Sequence, residues 1–176
     1  MAHHPIDNPG AAFAPVTPTG LLSALATALG VGVLMNAVPE EFSLRRCLLE
    51  PLRAQFGGGF ALWTTALAFV VMHLPTWISS HATASTYAAE VPEKLLFGLV
   101  AAWSVLRLDS LAFALGMHVG GNFTGVLLDS LSREETLTGW SRFTTPSVIA
   151  MVTETLVTAA AVRYLGRPSR KSASHR

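Results

Sequence analysis

Residues 21–60 read LLSALATALGVGVLMNAVPEEFSLRRCLLEPLRAQFGGGF, and the organisation of the chain follows from them. Leu21 to Val38 is an uncharged run, and a helix of that length rises about 27 Å, close to the roughly 30 Å hydrocarbon thickness of a bilayer. The run then meets Pro39, Glu40 and Glu41 and continues as an amphipathic stretch to about Ala54, where Gly57, Gly58 and Gly59 end it. A carboxylate pair at the end of an apolar span is costly. Insertion scales put a central charge at about 2.5–3.5 kcal/mol, so such residues are functional candidates by default.

The rest of the chain extends this pattern into an all-α, polytopic transmembrane helix bundle of about five spans. Phe60 to Ile78 forms a second apolar run containing His73, and a polar loop is expected from Ser79 to Glu93. Leu95 to Leu106 is a short third run, Ser110 to Leu128 a fourth with His118 and Asn122, and Ser147 to Leu165 a fifth with Glu154. Residues 1–18 read as a disordered lead-in, 19–166 as one membrane-embedded domain, and 167–176 as a basic tail. The lead-in has no Lys or Arg ahead of the apolar run, unlike a cleavable signal peptide.

Composition agrees. The 176 residues are 51% hydrophobic and 13% charged, with a mean hydropathy of +0.45, against about 25% charged in ordinary soluble domains. A net charge of +1 with scattered basic residues argues against nucleic acid as a partner. The lone Cys47 excludes an internal disulfide and a cysteine-rich metal site. If the C-terminus is cytoplasmic, five spans place Arg45, Arg46, Arg53, Arg107, Arg163 and the basic tail inside, and Lys94, Arg133 and Arg142 outside. That asymmetry favours an external N-terminus.

The ionisable and amide groups inside the spans form a set: Glu40, Glu41 and Arg45, then His73, then His118 and Asn122, then Glu154. A hairpin turning at Gly57 puts Glu41 and His73 each sixteen residues from the turn, hence at similar depth. His118 lies about 14 Å into the fourth run. Glu41 with Arg45 and His118 with Asn122 are i,i+4 pairs that share a face. Taken singly, each has a structural explanation. An intramembrane histidine often bonds a neighbouring helix, Glu41 with Arg45 makes an ion pair, and Glu154 between Thr153 and Thr155 can serve helix packing. The Gly120-Gly121 pair reads as a close helix approach. It is the conjunction on separate helices that points to chemistry.

These residues resemble the motifs of the CPBP family, the CAAX-protease and bacteriocin-processing (Abi) membrane proteins. The family shows E-E-x-x-x-R, F-x-x-x-H and H-x-x-x-N on successive helices. Here they stand as Glu40-Glu41-Phe42-Ser43-Leu44-Arg45, Phe69-Val70-Val71-Met72-His73 and His118-Val119-Gly120-Gly121-Asn122. One departure is Arg46, where family members often have glycine. The resemblance implies an intramembrane endopeptidase of the glutamic type in a bacterial inner membrane. In it Glu40 with His73 activates a water, His118 with Asn122 stabilises the oxyanion, and Glu41 pairs with Arg45. Its substrate is a membrane-associated protein or peptide: a CAAX-type tail, a bacteriocin-like peptide or a C-terminal sorting signal. The chemistry is consistent, since a carboxylate in an apolar site works as a base near neutral pH and imidazole and amide N–H groups stabilise developing negative charge.

Other readings use the same residues. Glu40, His73 and His118 are ordinary zinc ligands, and a metal-bound water is a good nucleophile, although no H-E-x-x-H occurs. A transporter would relay a proton or ion through Glu41, His73, His118 and Glu154. An immunity or scaffold protein would have no reaction at all. The expectation carried forward is a peptidase with no cofactor.

Overall fold

The computed structural model describes residues 17–131, residue 153 and residues 156–164, all other segments lying outside what is described. The uncharged run and the amphipathic stretch form one helix, α1, Pro18–Phe56, 39 residues long. Its start has a physical cause in Thr17, whose Oγ1 accepts the Gly20 amide at 3.0 Å, with proline following in the first turn. Its end is Gly57, at φ 87°, a backbone conformation that costs glycine little. Only Gly57 breaks the chain. Gly58 and Gly59, expected to belong to the break, form the first turn of α2, Gly58–Ser79.

Two segments of α1, Ala28–Ala37 and Phe42–Leu49, are wound as π-helix. The Val38 amide correspondingly donates to Val33 O, five residues back. Pro39 follows immediately; it has no N–H and its ring crowds the preceding turn, so the wider winding relieves a helix that would otherwise kink. The Glu40-Glu41 pair therefore sits between two widened segments.

The structure alters the expectation for the middle of the chain. The polar stretch expected as a loop from Ser79 to Glu93 is helical from Ala84 onward, and the short third run is the C-terminal part of α3, Ala84–Leu108, 25 residues. Thr83 supplies the reason: its Oγ1 accepts the Thr86 amide at 3.3 Å and caps the helix early. The helix ends at Asp109, which is left-handed at φ 52°. α4 runs Ala112–Leu131, and residues 156–164 form α5. α5 lies within the fifth expected run, while residue 154 lies outside the described residues, so Glu154 is not placed.

Among the described residues, two helices are long and apolar enough to cross a membrane, α1 and α2, with a shorter apolar stretch at Ala112–Leu128. Leu22, Leu34, Met35, Leu67, Val71 and Ile78 on α1 and α2 are exposed, as lipid-facing residues would be. At about 58 Å, α1 is nearly twice the hydrocarbon thickness. α3 has the length of a span, but Glu90, Glu93 and Lys94 occupy its first half, and all are buried in protein.

Helices in lipid gain little from burying apolar area against one another, so close packing of small residues sets their arrangement. The α2–α3 contact turns on Gly98, where an added Cβ would stand 3.0 Å from Ala66 Cα. Beside it Phe69 stacks on Phe97 at 5.1 Å. α4 packs on the first π-helical segment of α1 through Gly32, whose hypothetical Cβ would stand 3.0 Å from Asn122 O. Leu44, Leu49, Phe69, Phe97, Val100 and Met117 join the helices in one core, with Ala159 of α5 packed against it.

Candidate active site

Glu41 and Arg45 lie one turn apart on α1, both with 0% side-chain exposure, and Arg45 Nε donates to Glu41 Oε2 at 3.1 Å. The other Glu41 oxygen accepts from His118 Nδ1 of α4, also at 3.1 Å. Its two partners fix the carboxylate of Glu41, and it in turn fixes the imidazole of His118. With Nδ1–H committed to Glu41, Nε2 points toward Glu40, 3.6 Å from Oε2. Nε2 there is a proton acceptor in the neutral ring and a donor in the imidazolium.

The aromatic wall comes from the other two long helices. The His118 ring is edge-on to Phe97 of α3 at 4.9 Å and to Phe69 of α2 at 5.7 Å. Both phenyl rings are buried, and they exclude water from that side. Glu40 keeps 20% side-chain exposure beside its fully buried neighbour, so it is the carboxylate that a substrate or a water can reach. Its Oε2, the oxygen nearest His118, is buried and has no hydrogen-bond partner among the described residues.

His73 lies one turn beyond Phe69 on α2 and donates Nδ1–H to the Phe69 carbonyl at 2.7 Å. That bond sets the tautomer and leaves Nε2 as an acceptor. The imidazole that contacts Glu40 in the fold is His118, while His73 stands beside Phe69 and Trp77, its ring 4.8 and 6.0 Å from theirs. Asn122 lies one turn from His118, and its Nδ2 donates to Gly32 O at 3.3 Å, linking α4 to α1. The amide has a second N–H, so this link and an oxyanion role are compatible. Asn122→Ala should lower turnover by about 10²- to 10³-fold if the amide stabilises an oxyanion. If it only ties α4 to α1, melting temperature falls and turnover per folded molecule stays. Both are measured on the same preparation.

Glu40, Glu41, Arg45 and His118 thus converge directly, and Asn122 and His73 flank them from α4 and α2. Among the described residues, no group of three or more His, Cys, Asp or Glu side chains is placed to hold a metal ion. Sequence reasoning missed Phe97 and the buried polar residues of α3. The spacing of Glu90, Lys94 and Phe97 over two helical turns was a usable signal, obscured because the segment looked like a loop. A cavity of about 610 Å³ between α3 and α5, lined by Trp103, Arg107, Ala159, Ala160 and Arg163, shares no residue with this cluster.

A helical membrane protein that buries a carboxylate–histidine–carboxylate cluster between its helices has the architecture of an intramembrane hydrolase. The family model described as type II CAAX prenyl endopeptidase Rce1-like matches residues 22–124, more than half of the chain and every motif above. The chain belongs to that family, and with it to the CAAX-type intramembrane endopeptidases. No curated protein and no solved structure matches it.

Proposed function

We propose that this chain hydrolyses a peptide bond near the C-terminus of a membrane-associated, CAAX-type protein or peptide, through a water activated by Glu40 and His73, without a metal. The observation that carries this reading is the pairing of an accessible Glu40 with a His118 held in place by the buried Glu41–Arg45 pair. Water oxygen adds to the scissile carbonyl carbon as its proton passes to Glu40, with the acceptor nitrogen of His73 sharing the load. The carbonyl oxygen becomes an oxyanion, stabilised by the Asn122 amide and by the Nε2–H that His118 carries as an imidazolium. As the C–N bond breaks, the proton held at the carboxylate moves to the departing amine, which returns Glu40 to its starting state.

Each of the helices α1 to α4 has a distinct task in this mechanism. α1 supplies the base and the ion pair that orients His118, α2 supplies His73 and half of the aromatic wall, α3 the other half, and α4 the oxyanion donors. The test uses the purified full chain in lipid vesicles with a synthetic farnesylated peptide ending in a four-residue CAAX sequence. The products are identified by mass spectrometry. Cleavage after the modified cysteine that survives a strong chelator is expected. Activity lost to the chelator and restored by zinc would replace this mechanism with the metal-dependent one. Absence of cleavage together with proton or ion flux would assign a transporter.

A further inference from the structure

The cavity between α3 and α5 lies apart from the reacting centre and repeats one pattern on its two walls. α3 contributes Trp103 and, one turn on, Arg107, while α5 contributes Ala159 and Ala160 and, one turn on, Arg163. Ala159 packs against the core and Trp103 is half-buried, whereas both arginines are exposed. The alanines leave space that larger side chains would close. Its volume of about 610 Å³ falls within the roughly 300–1,000 Å³ of sites that enclose small organic ligands. Neither guanidinium makes an ion pair or a hydrogen bond among the described residues, and the carboxylate of Asp109, two residues from Arg107, is taken by Arg53. None of the five lining residues is acidic.

We infer that this cavity binds an anionic phospholipid, with the phosphate held between Arg107 and Arg163 and an acyl chain lying along Trp103 and the alanines. Guanidinium groups bind phosphate through paired, charge-assisted hydrogen bonds, and basic pockets between transmembrane helices are a known form of lipid site. The location agrees. α3 finishes where α2 begins, with Leu106 beside Gly58, and Arg53 of α1 reaches Asp109 just beyond α3. Arg53, Arg107 and Arg163 therefore gather at one end of the bundle, as basic residues do at a negatively charged membrane surface. Tryptophan is a side chain favoured at headgroup depth.

The lining also selects among ligands. A free phosphate would use the arginines and leave Trp103, Ala159 and Ala160 without an apolar partner. A zwitterionic headgroup would bring an ammonium into a cavity whose charged residues are both cations. An anionic lipid meets both requirements, and once bound it bridges α3 to α5. Each arginine beside an anionic headgroup is worth about a fivefold preference, so the pair favours the anionic lipid by about 25-fold.

The experiment places the full chain in phosphatidylcholine vesicles and titrates in phosphatidylglycerol or phosphatidylcholine with brominated acyl chains, which quench nearby tryptophan. The quenching of Trp103 is the difference between the native chain and Trp103→Phe. Brominated phosphatidylglycerol should reach half of that quenching at a mole fraction about 25-fold lower than brominated phosphatidylcholine. The double variant Arg107→Gln, Arg163→Gln should bring the two lipids together. Arg46→Gln, Arg53→Gln removes the same formal charge outside the cavity and should keep the preference. Because each preference compares two lipids on one preparation, loss of folded protein cancels. Equal quenching of the native chain by both lipids overturns the inference, as does a preference that survives loss of Arg107 and Arg163. A preference lost equally in the Arg46 and Arg53 variant would assign it to net charge and overturn the site. Displacement of brominated phosphatidylglycerol by millimolar inorganic phosphate would make the cavity a free-anion site instead. No arm depends on peptide cleavage, so the result stands apart from the proposed reaction.

Discussion

Glu40→Gln is expected to abolish detectable cleavage, with a loss of about 10²- to 10⁴-fold, the usual contribution of a positioned general base. The substitution is nearly isosteric, so it removes the base and little else. Glu40 is the less buried member of the carboxylate pair, and among the described residues no hydrogen bond satisfies its buried Oε2. An amide there forfeits no partner on which the fold depends. Melting temperature should stay within a few degrees of native while turnover of the farnesylated peptide disappears. His73→Ala should show the same profile, because among the described residues the ring's hydrogen bond is to the Phe69 carbonyl of its own helix. Near-native turnover by Glu40→Gln would exclude the carboxylate as base and move that role to His118.

Arg45→Ala should instead unfold or strongly destabilise the protein, by about 3–5 kcal/mol, the cost of leaving one member of a buried pair uncompensated. Glu41 would then lie at 0% exposure with only His118 to answer its charge. Glu41→Gln should also destabilise the fold, since it leaves the guanidinium buried against an uncharged acceptor. The double variant Glu41→Gln, Arg45→Met should recover much of the loss, because both charges leave together. Thermal melts of the native chain, Glu41→Gln, Arg45→Met and the double variant form a double-mutant cycle. Strictly additive losses would show that the pair is not coupled and that the orientation of His118 comes from elsewhere.

The two experiments separate chemistry from architecture within five residues of one helix. Glu40 and Glu41 are adjacent and differ by about a quarter turn on α1. That rotation places one against Arg45 and His118 in full burial and the other at the rim of the cleft. Swapping their roles by exchanging which is neutralised should therefore separate a rate defect from a stability defect.

Much of this was legible in the amino-acid sequence. An uncharged run ended by a carboxylate pair, a glycine break and further apolar runs with histidine determine a helical membrane protein, because hydropathy and glycine conformational freedom act locally. The i,i+4 spacing of Glu41 with Arg45 determines their ion pair, since one helical turn brings them together whatever surrounds them. The three motifs, which lie within the matched residues 22–124, were equally visible. Only the tertiary structure decided that His118 rather than His73 stands against Glu40, that the Asn122 amide reaches Gly32, and that the polar stretch before Leu95 is a buried helical face. The reason is that these depend on the rotation and crossing of whole helices. Those are set by contacts between distant small residues, Gly98 on Ala66 and Gly32 on Asn122, and a spacing within one helix carries no information about the angle at which it meets another.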